Sequence, residues 1–251
     1  MLPIGVFSVR QHNNTNKISM IMLIINIIVF ASNFYFKFID MIILVMICVS
    51  LTFIIIGIYA NANNILNPII KEMNEKCNYK EFDIKLQEIE ENENLHSDSQ
   101  AYLKLLRCNY LEYVSPKKNT ELFLEIKKPQ SAFYKRCYDE LEILYLIRSG
   151  EYEEAKKLID THRKAITIDF TTLSLMENSI KIDNGEIIKD IEKVYKLDNK
   201  EKFKNVVSAY NLMCYYSKQD DQEKAKEYAQ MLLDFETDFT YINNLAKEVL
   251  K

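Results

Sequence analysis

The chain has 251 residues, a net charge of −4 and only four glycines and four prolines. That composition excludes Gly-rich phosphate loops and a strand-and-turn architecture, and predicts helix nearly throughout. Arg10, Lys17, Lys37 and Asp40 are the only charges in residues 1–62 and sum to +2, so the rest of the chain carries −6, the wrong sign for nucleic-acid binding.

Residues 1–17 form a short N-terminal segment. Two uncharged stretches of 19 residues follow, Ile18 to Phe36 and Met41 to Tyr59. At about 1.5 Å per helical residue, each crosses the roughly 30 Å hydrocarbon core of a bilayer. The sequence therefore predicts a transmembrane helical hairpin over 18–62, with spans at 18–36 and 41–60 and a tight tip at Lys37 to Asp40. Asn26, Ser32 and Asn33 in the first span suit helix-to-helix hydrogen bonding within the membrane. Positive residues flank both ends, Arg10 and Lys17 before the hairpin and Lys71, Lys76 and Lys80 after it, which places both termini in the cytoplasm of a multi-pass cell-membrane protein. Ala60-Asn61-Ala62 has the form of a signal-cleavage site, but it follows two full spans instead of one short apolar region.

Asn67-Pro68 opens the remainder, 63–251, with a helix-start signature. Apolar spacing of three and four residues predicts helices at 68–77, 79–91, 98–114, 118–128, 131–148, 151–163, 168–182, 185–197, 201–217, 221–235 and 238–250. Three turns stand 35 residues apart, at Gly150, Gly185 and Asp220. Each opens a second helix: Gly150-Glu-Tyr152-Glu-Glu-Ala155, Gly185-Glu-Ile187-Ile-Lys-Asp190 and Asp220-Asp-Gln222-Glu-Lys-Ala225. Glycine supplies the positive φ of such a turn, and a small residue five positions on lets paired helices approach closely; the middle copy loses its alanine.

These segments, with Ala209-Tyr210-Asn211-Leu212, Tyr228 and Leu232, resemble the tetratricopeptide repeat, a 34-residue helix pair with a Gly-x-Tyr-x-x-Ala core. The match covers roughly residues 134 to 238. It departs from the family in its period of 35, in lacking the large aromatic early in the first helix of the Gly150 unit, and in lacking the usual closing proline. The expected fold is all-α: two transmembrane helices, then an α-α superhelical solenoid of stacked pairs with a concave face, closed by a capping helix from Phe239 to Lys251. The resemblance implies that Tyr210, Cys214 and Lys218 of the last unit, and Glu140, Leu144 and Arg148 of an earlier one, face inward and bind protein.

No chemistry is legible. His12, His96 and His162 are far apart, and no HExxH, GxSxG, Walker or Rossmann pattern is present. The acidic run at Glu88 to Glu93 has no EF-hand spacing and reads as a solvated helix end. The five cysteines, Cys48, Cys77, Cys108, Cys137 and Cys214, are odd in number and have no CxxC pair; they read as small core residues in a reducing compartment. The expectation is a non-enzymatic adaptor without cofactor or metal, tethered to the bilayer and presenting a cytoplasmic groove to a protein or peptide. The alternative is a structural or regulatory subunit held in a larger membrane complex, such as a transporter or secretion machine, through its spans.

Overall fold

A computed structural model describes residues 65–92, 94–197 and 200–251, together with the helical positions Ile24, Ile28 and Ser50. The rest of the expected membrane hairpin lies outside the described residues. Among the described residues no helix is long and apolar enough to cross a membrane.

The described residues form eleven α-helices and no β-strand. They are α1 (Leu66–Lys76), α2 (Tyr79–Asn92), α3 (Ser97–Val114), α4 (Pro116–Leu124), α5 (Ala132–Arg148), α6 (Tyr152–Ala165), α7 (Phe170–Asp183), α8 (Ile191–Val194), α9 (Lys202–Lys218), α10 (Gln222–Asp234) and α11 (Thr240–Val249). Two compact units partition them, residues 1–69 with 87–100, and residues 70–86 with 101–251. In the first unit, the Asp98 amide donates to His96 Nδ1 at 3.3 Å and the Gln100 side chain donates to the Leu95 carbonyl at 3.2 Å, fixing the first turn of α3.

The three turns close by one mechanism. Glu151, Glu186 and Asp221 donate their amides to the carbonyls of Leu146, Lys181 and Tyr216 at 2.9, 2.8 and 3.0 Å, so the long bond of a Schellman cap recurs every 35 residues. The residue before each donor sits in the left-handed region: Gly150 at φ 76°, Gly185 at φ 69° and Asp220 at φ 58°. A Cβ built on Gly150 meets nothing within 4 Å, so a substitution there is penalised by conformation alone. Gly150→Ala is expected to cost about 1 kcal/mol and Asp220→Gly to return up to about that much, read from urea denaturation midpoints.

Packing follows the same register. Helices α5 and α6 pair, and α7 packs on both; α9 packs on α7 and pairs with α10; α11 closes on α9 and α10. Ile143, Ile147, Ile159, Leu173 and Ile180 form the core of the first stack, where Ala155 is fully buried. Ala225 is equally buried in the last stack. Upstream, α3, α4 and α5 share Leu105, Cys108, Phe123 and Leu141.

The middle pair departs from the predicted helix at 185–197, which shrinks to the single turn of α8. Two features of the sequence account for it. Asp190 stands where Ala155 and Ala225 allow close crossing, and a carboxylate cannot be buried there without a partner. The β-branched pair Ile187-Ile188 also disfavours the first helical turn. Asp190 instead takes φ 54°, Ile187 is 83% exposed, and the Ile188 amide donates to Tyr215 Oη at 3.2 Å. What holds the shortened segment is Glu192. Its carboxylate accepts from Lys224 Nζ and Tyr216 Oη, both at 2.7 Å, and from Tyr228 Oη at 3.2 Å, while Lys224 lies over the Tyr216 ring, 4.6 Å from its centroid.

The hydrogen bond from Lys224, followed by that from Tyr216, holds the Glu192 carboxyl below the usual glutamate range. A depressed folded-state value means that its contribution is present above the usual range and lost as pH falls through the depressed one. Acidification below the glutamate range is therefore expected to release residues 186–195 ahead of the rest. Amide hydrogen exchange at Ile188 reads this, and Glu192→Gln should abolish the pH dependence.

Where a curved array with a concave face is expected, the array curls until its last helices meet its first. The Asp238 carboxylate accepts from the Tyr79 and Lys80 amides at 2.7 and 2.9 Å, at the start of α2. Thr240 Oγ1 donates to the Val114 carbonyl at 3.0 Å, at the end of α3, and Lys202 Nζ donates to the Lys76 carbonyl at 3.4 Å, at the end of α1. Each polar group suits the helix end it meets, the Asp238 anion at an amino end and the Lys202 cation and Thr240 hydroxyl donor at carboxyl ends. Phe203 packs 4.8 Å from Tyr110 and 5.6 Å from Tyr113, and Phe239 packs 5.7 Å from Tyr113, between ring centroids. The stacking of pairs is retained, and the concave side becomes a partly closed space with an open mouth.

Candidate functional site

Helices α3, α5, α7, α9 and α11 surround a cavity of about 320 Å³. Its wall is written in the repeat. Leu144, Ser179 and Cys214 stand 35 residues apart on α5, α7 and α9, and all three line it. So do Ile147 and Ile182, separated by the same interval and both buried. Tyr210 and Tyr241 add aromatic surface, with Tyr241 38% exposed on α11.

The rim is a row of alternating charges. Arg148, Asp183 and Lys218 are the last residues of α5, α7 and α9. Arg148 and Asp183 line the cavity, and Lys218 acts electrostatically on Asp183 from beside it. On the other side Arg148 pairs with Glu112 of α3. Glu112 is 8% exposed and is held from behind by Asn119 Nδ2, which donates to it at 3.4 Å. The order around the rim is thus negative, positive, negative, positive.

Burial dominates the electrostatics. It pulls Arg148 down to about 10, with Tyr210 and Asp183 opposing, which leaves the guanidinium charged at neutral pH. Its side chain is nevertheless 38% exposed, because it faces the open mouth of the cavity. Burial raises Asp183, against Lys218 and Arg148, and pushes Cys214 up to about 11. Cys214 is therefore a thiol at neutral pH, and a thiol is a poor nucleophile. Burial likewise raises Tyr210. The arrangement can hold a ligand by charge and shape.

Of the six residues named from sequence, Leu144, Arg148, Tyr210 and Cys214 line this cavity. Lys218 stands at its rim. Glu140 does not line it and pairs with Arg136 Nε at 2.9 Å on its own helix. Ser179 and Asp183 were missed, although adding one period to Leu144 and Arg148 reaches them. Glu112 and Tyr241 arrive through closure of the array, which no local pattern reports. His162 lies elsewhere, with Nδ1 2.7 Å from Thr167 Oγ1 and Nε2 3.9 Å from Asp139 Oδ2, whose Oδ1 pairs with Lys128. The described cysteines Cys77, Cys108, Cys137 and Cys214 are all free thiols. Among the described residues no group of three or more His, Cys, Asp or Glu is placed to hold a metal ion. The chain matches no family model, no curated protein and no solved structure.

Proposed function

We propose that the chain is a membrane-tethered adaptor built on tetratricopeptide-like repeats, which recruits a protein partner to the cytoplasmic face of the cell membrane through the rim of its cavity. The observation that carries this reading is the common register of Leu144, Ser179 and Cys214, three first-helix positions aimed at one space. The uncharged stretches at 18–36 and 41–60 supply the tether, and confinement to the membrane plane raises effective concentration so that a modest contact area suffices. A partner engages the rim with side chains.

The test is photo-crosslinking in native membranes from a probe placed at Lys218, with the crosslinked protein identified by mass. A discrete adduct, absent when the probe is moved to the exposed Lys157 on α6, supports the adaptor. Labelling that is the same at both positions defeats it. Alkaline extraction tests the tether: the full chain should stay in the membrane pellet, and a chain lacking residues 1–62 should be released.

A further inference from the structure

We propose that the cavity binds a free α-amino acid with an apolar side chain. This goes beyond the adaptor reading, since it concerns what lies inside the cavity and not what docks on its rim.

Size comes first. At about 320 Å³ the space is at the lower end of the roughly 300–1,000 Å³ of small-molecule sites, and it suits a compact ligand. Charge narrows the class. Glu112, Arg148, Asp183 and Lys218 cancel, so a neutral ligand preserves the balance while a simple cation or anion leaves one charge uncompensated. A wholly apolar ligand would strip water from Arg148 and Asp183 without replacing its hydrogen bonds, at a cost for each group left unpaired. A zwitterion meets both conditions.

The groups that would read its two ends are in place. Arg148 engages Glu112, and a guanidinium carries five N–H donors in a planar fork, so it can serve a second carboxylate from its other edge. Glu112 is committed to Arg148 and Asn119; Asp183 accepts from the Tyr152 hydroxyl of α6 and keeps its remaining acceptor sites for an ammonium group. The Tyr210 and Tyr241 rings lie in the same wall, where an aromatic face adds attraction for a cation. Leu144, Ile147 and Ile182 form the apolar surface for the side chain. Ser179 Oγ donates to the Leu175 carbonyl, so the middle helix presents a small residue beside Asp183.

The test is calorimetric titration of the full chain in detergent with L-leucine, L-valine and L-phenylalanine, and with leucinamide and N-acetyl-leucine, which lack the carboxylate and the ammonium charge respectively. At least one of the three amino acids should bind once per chain. For L-leucine, each derivative should bind at least tenfold more weakly. Asp183→Asn, which keeps a side-chain acceptor for the Tyr152 hydroxyl, should weaken the amino acid at least tenfold with the melting temperature within about 2 °C of the parent, and Ser179→Phe should abolish binding by filling the space. No heat with any of the three amino acids overturns the proposal. So does equal binding of L-leucine and its two derivatives, or indifference to Asp183→Asn. A chain that crosslinks to a partner but takes up no amino acid defeats this proposal alone; one that binds leucine and crosslinks to nothing defeats the adaptor alone.

Discussion

Phe239→Ala is expected to lower the melting temperature of the detergent-solubilised chain more than any other substitution considered. Phe239 is fully buried, with Tyr113 and Phe203 at 5.7 and 5.9 Å between ring centroids. Truncating a buried phenylalanine costs about 3–5 kcal/mol, part lost transfer energy and part the void left behind. For a body of this size that corresponds to roughly 6–20 °C. The neighbouring Asp238 and Thr240 hold the start of α2 and the end of α3, so opening the aromatic cluster also frees two helix ends. Thermal unfolding by far-ultraviolet circular dichroism gives the shift, and the near-ultraviolet tyrosine signal should fall with it. A shift below about 2 °C would mean that the array does not close on this residue.

Ala225→Leu is the second large effect. Ala225 is fully buried at the start of α10, where α9 and α10 cross closely. Three extra carbons at such a crossing push the helices apart or force a poor rotamer, costing about 1–3 kcal/mol. The register-equivalent position in the middle pair behaves differently. Asp190 is exposed and outside any full helix, and its link to Lys193 at 3.3 Å is a surface ion pair of little worth. Asp190→Asn, which tolerates the same positive φ, should therefore stay within about 0.5 kcal/mol of the parent in urea denaturation. Equal sensitivity at the two positions would mean that the middle pair is a full repeat after all.

The contrast between Ala225 and Asp190 also marks how far the sequence could be read. Turn chemistry and apolar spacing are local, and they located ten of the eleven described helices to within a few residues. The same signals placed the three Schellman caps, because a left-handed residue every 35 positions is visible in Gly150 and Gly185 and tolerable in Asp220. The missing alanine at Asp190 was visible too, but spacing alone extended a helix through it, since loss of a packing partner does not disturb apolar periodicity.

The site was legible in proportion to its locality. Leu144, Arg148, Tyr210 and Cys214 follow from position within a repeat, and Ser179 and Asp183 would have followed had the period been applied to the middle unit. Glu140 was assigned by the same rule and instead pairs along its own helix with Arg136, which lies one turn before it. Glu112 and Tyr241 depend on contacts between α3 and the last helix, more than a hundred residues apart. Such contacts are set by how far the stack curls, which is the sum of small rotations at each pair and leaves no mark in any single window of sequence.

The bonds from Asp238 to the amides of Tyr79 and Lys80 reach across 159 and 158 positions and also set a timetable for biosynthesis. Linear arrays can mature unit by unit as they leave the ribosome. Here the amino end of α2 waits for an acceptor encoded some 158 positions later, so its final cap forms only after the intervening helices have been made. Contacts of such long sequence separation slow folding, and a chain stopped short of Asp238 would leave those amides to water and Tyr113 without the Phe239 ring, with Phe203 still beside it.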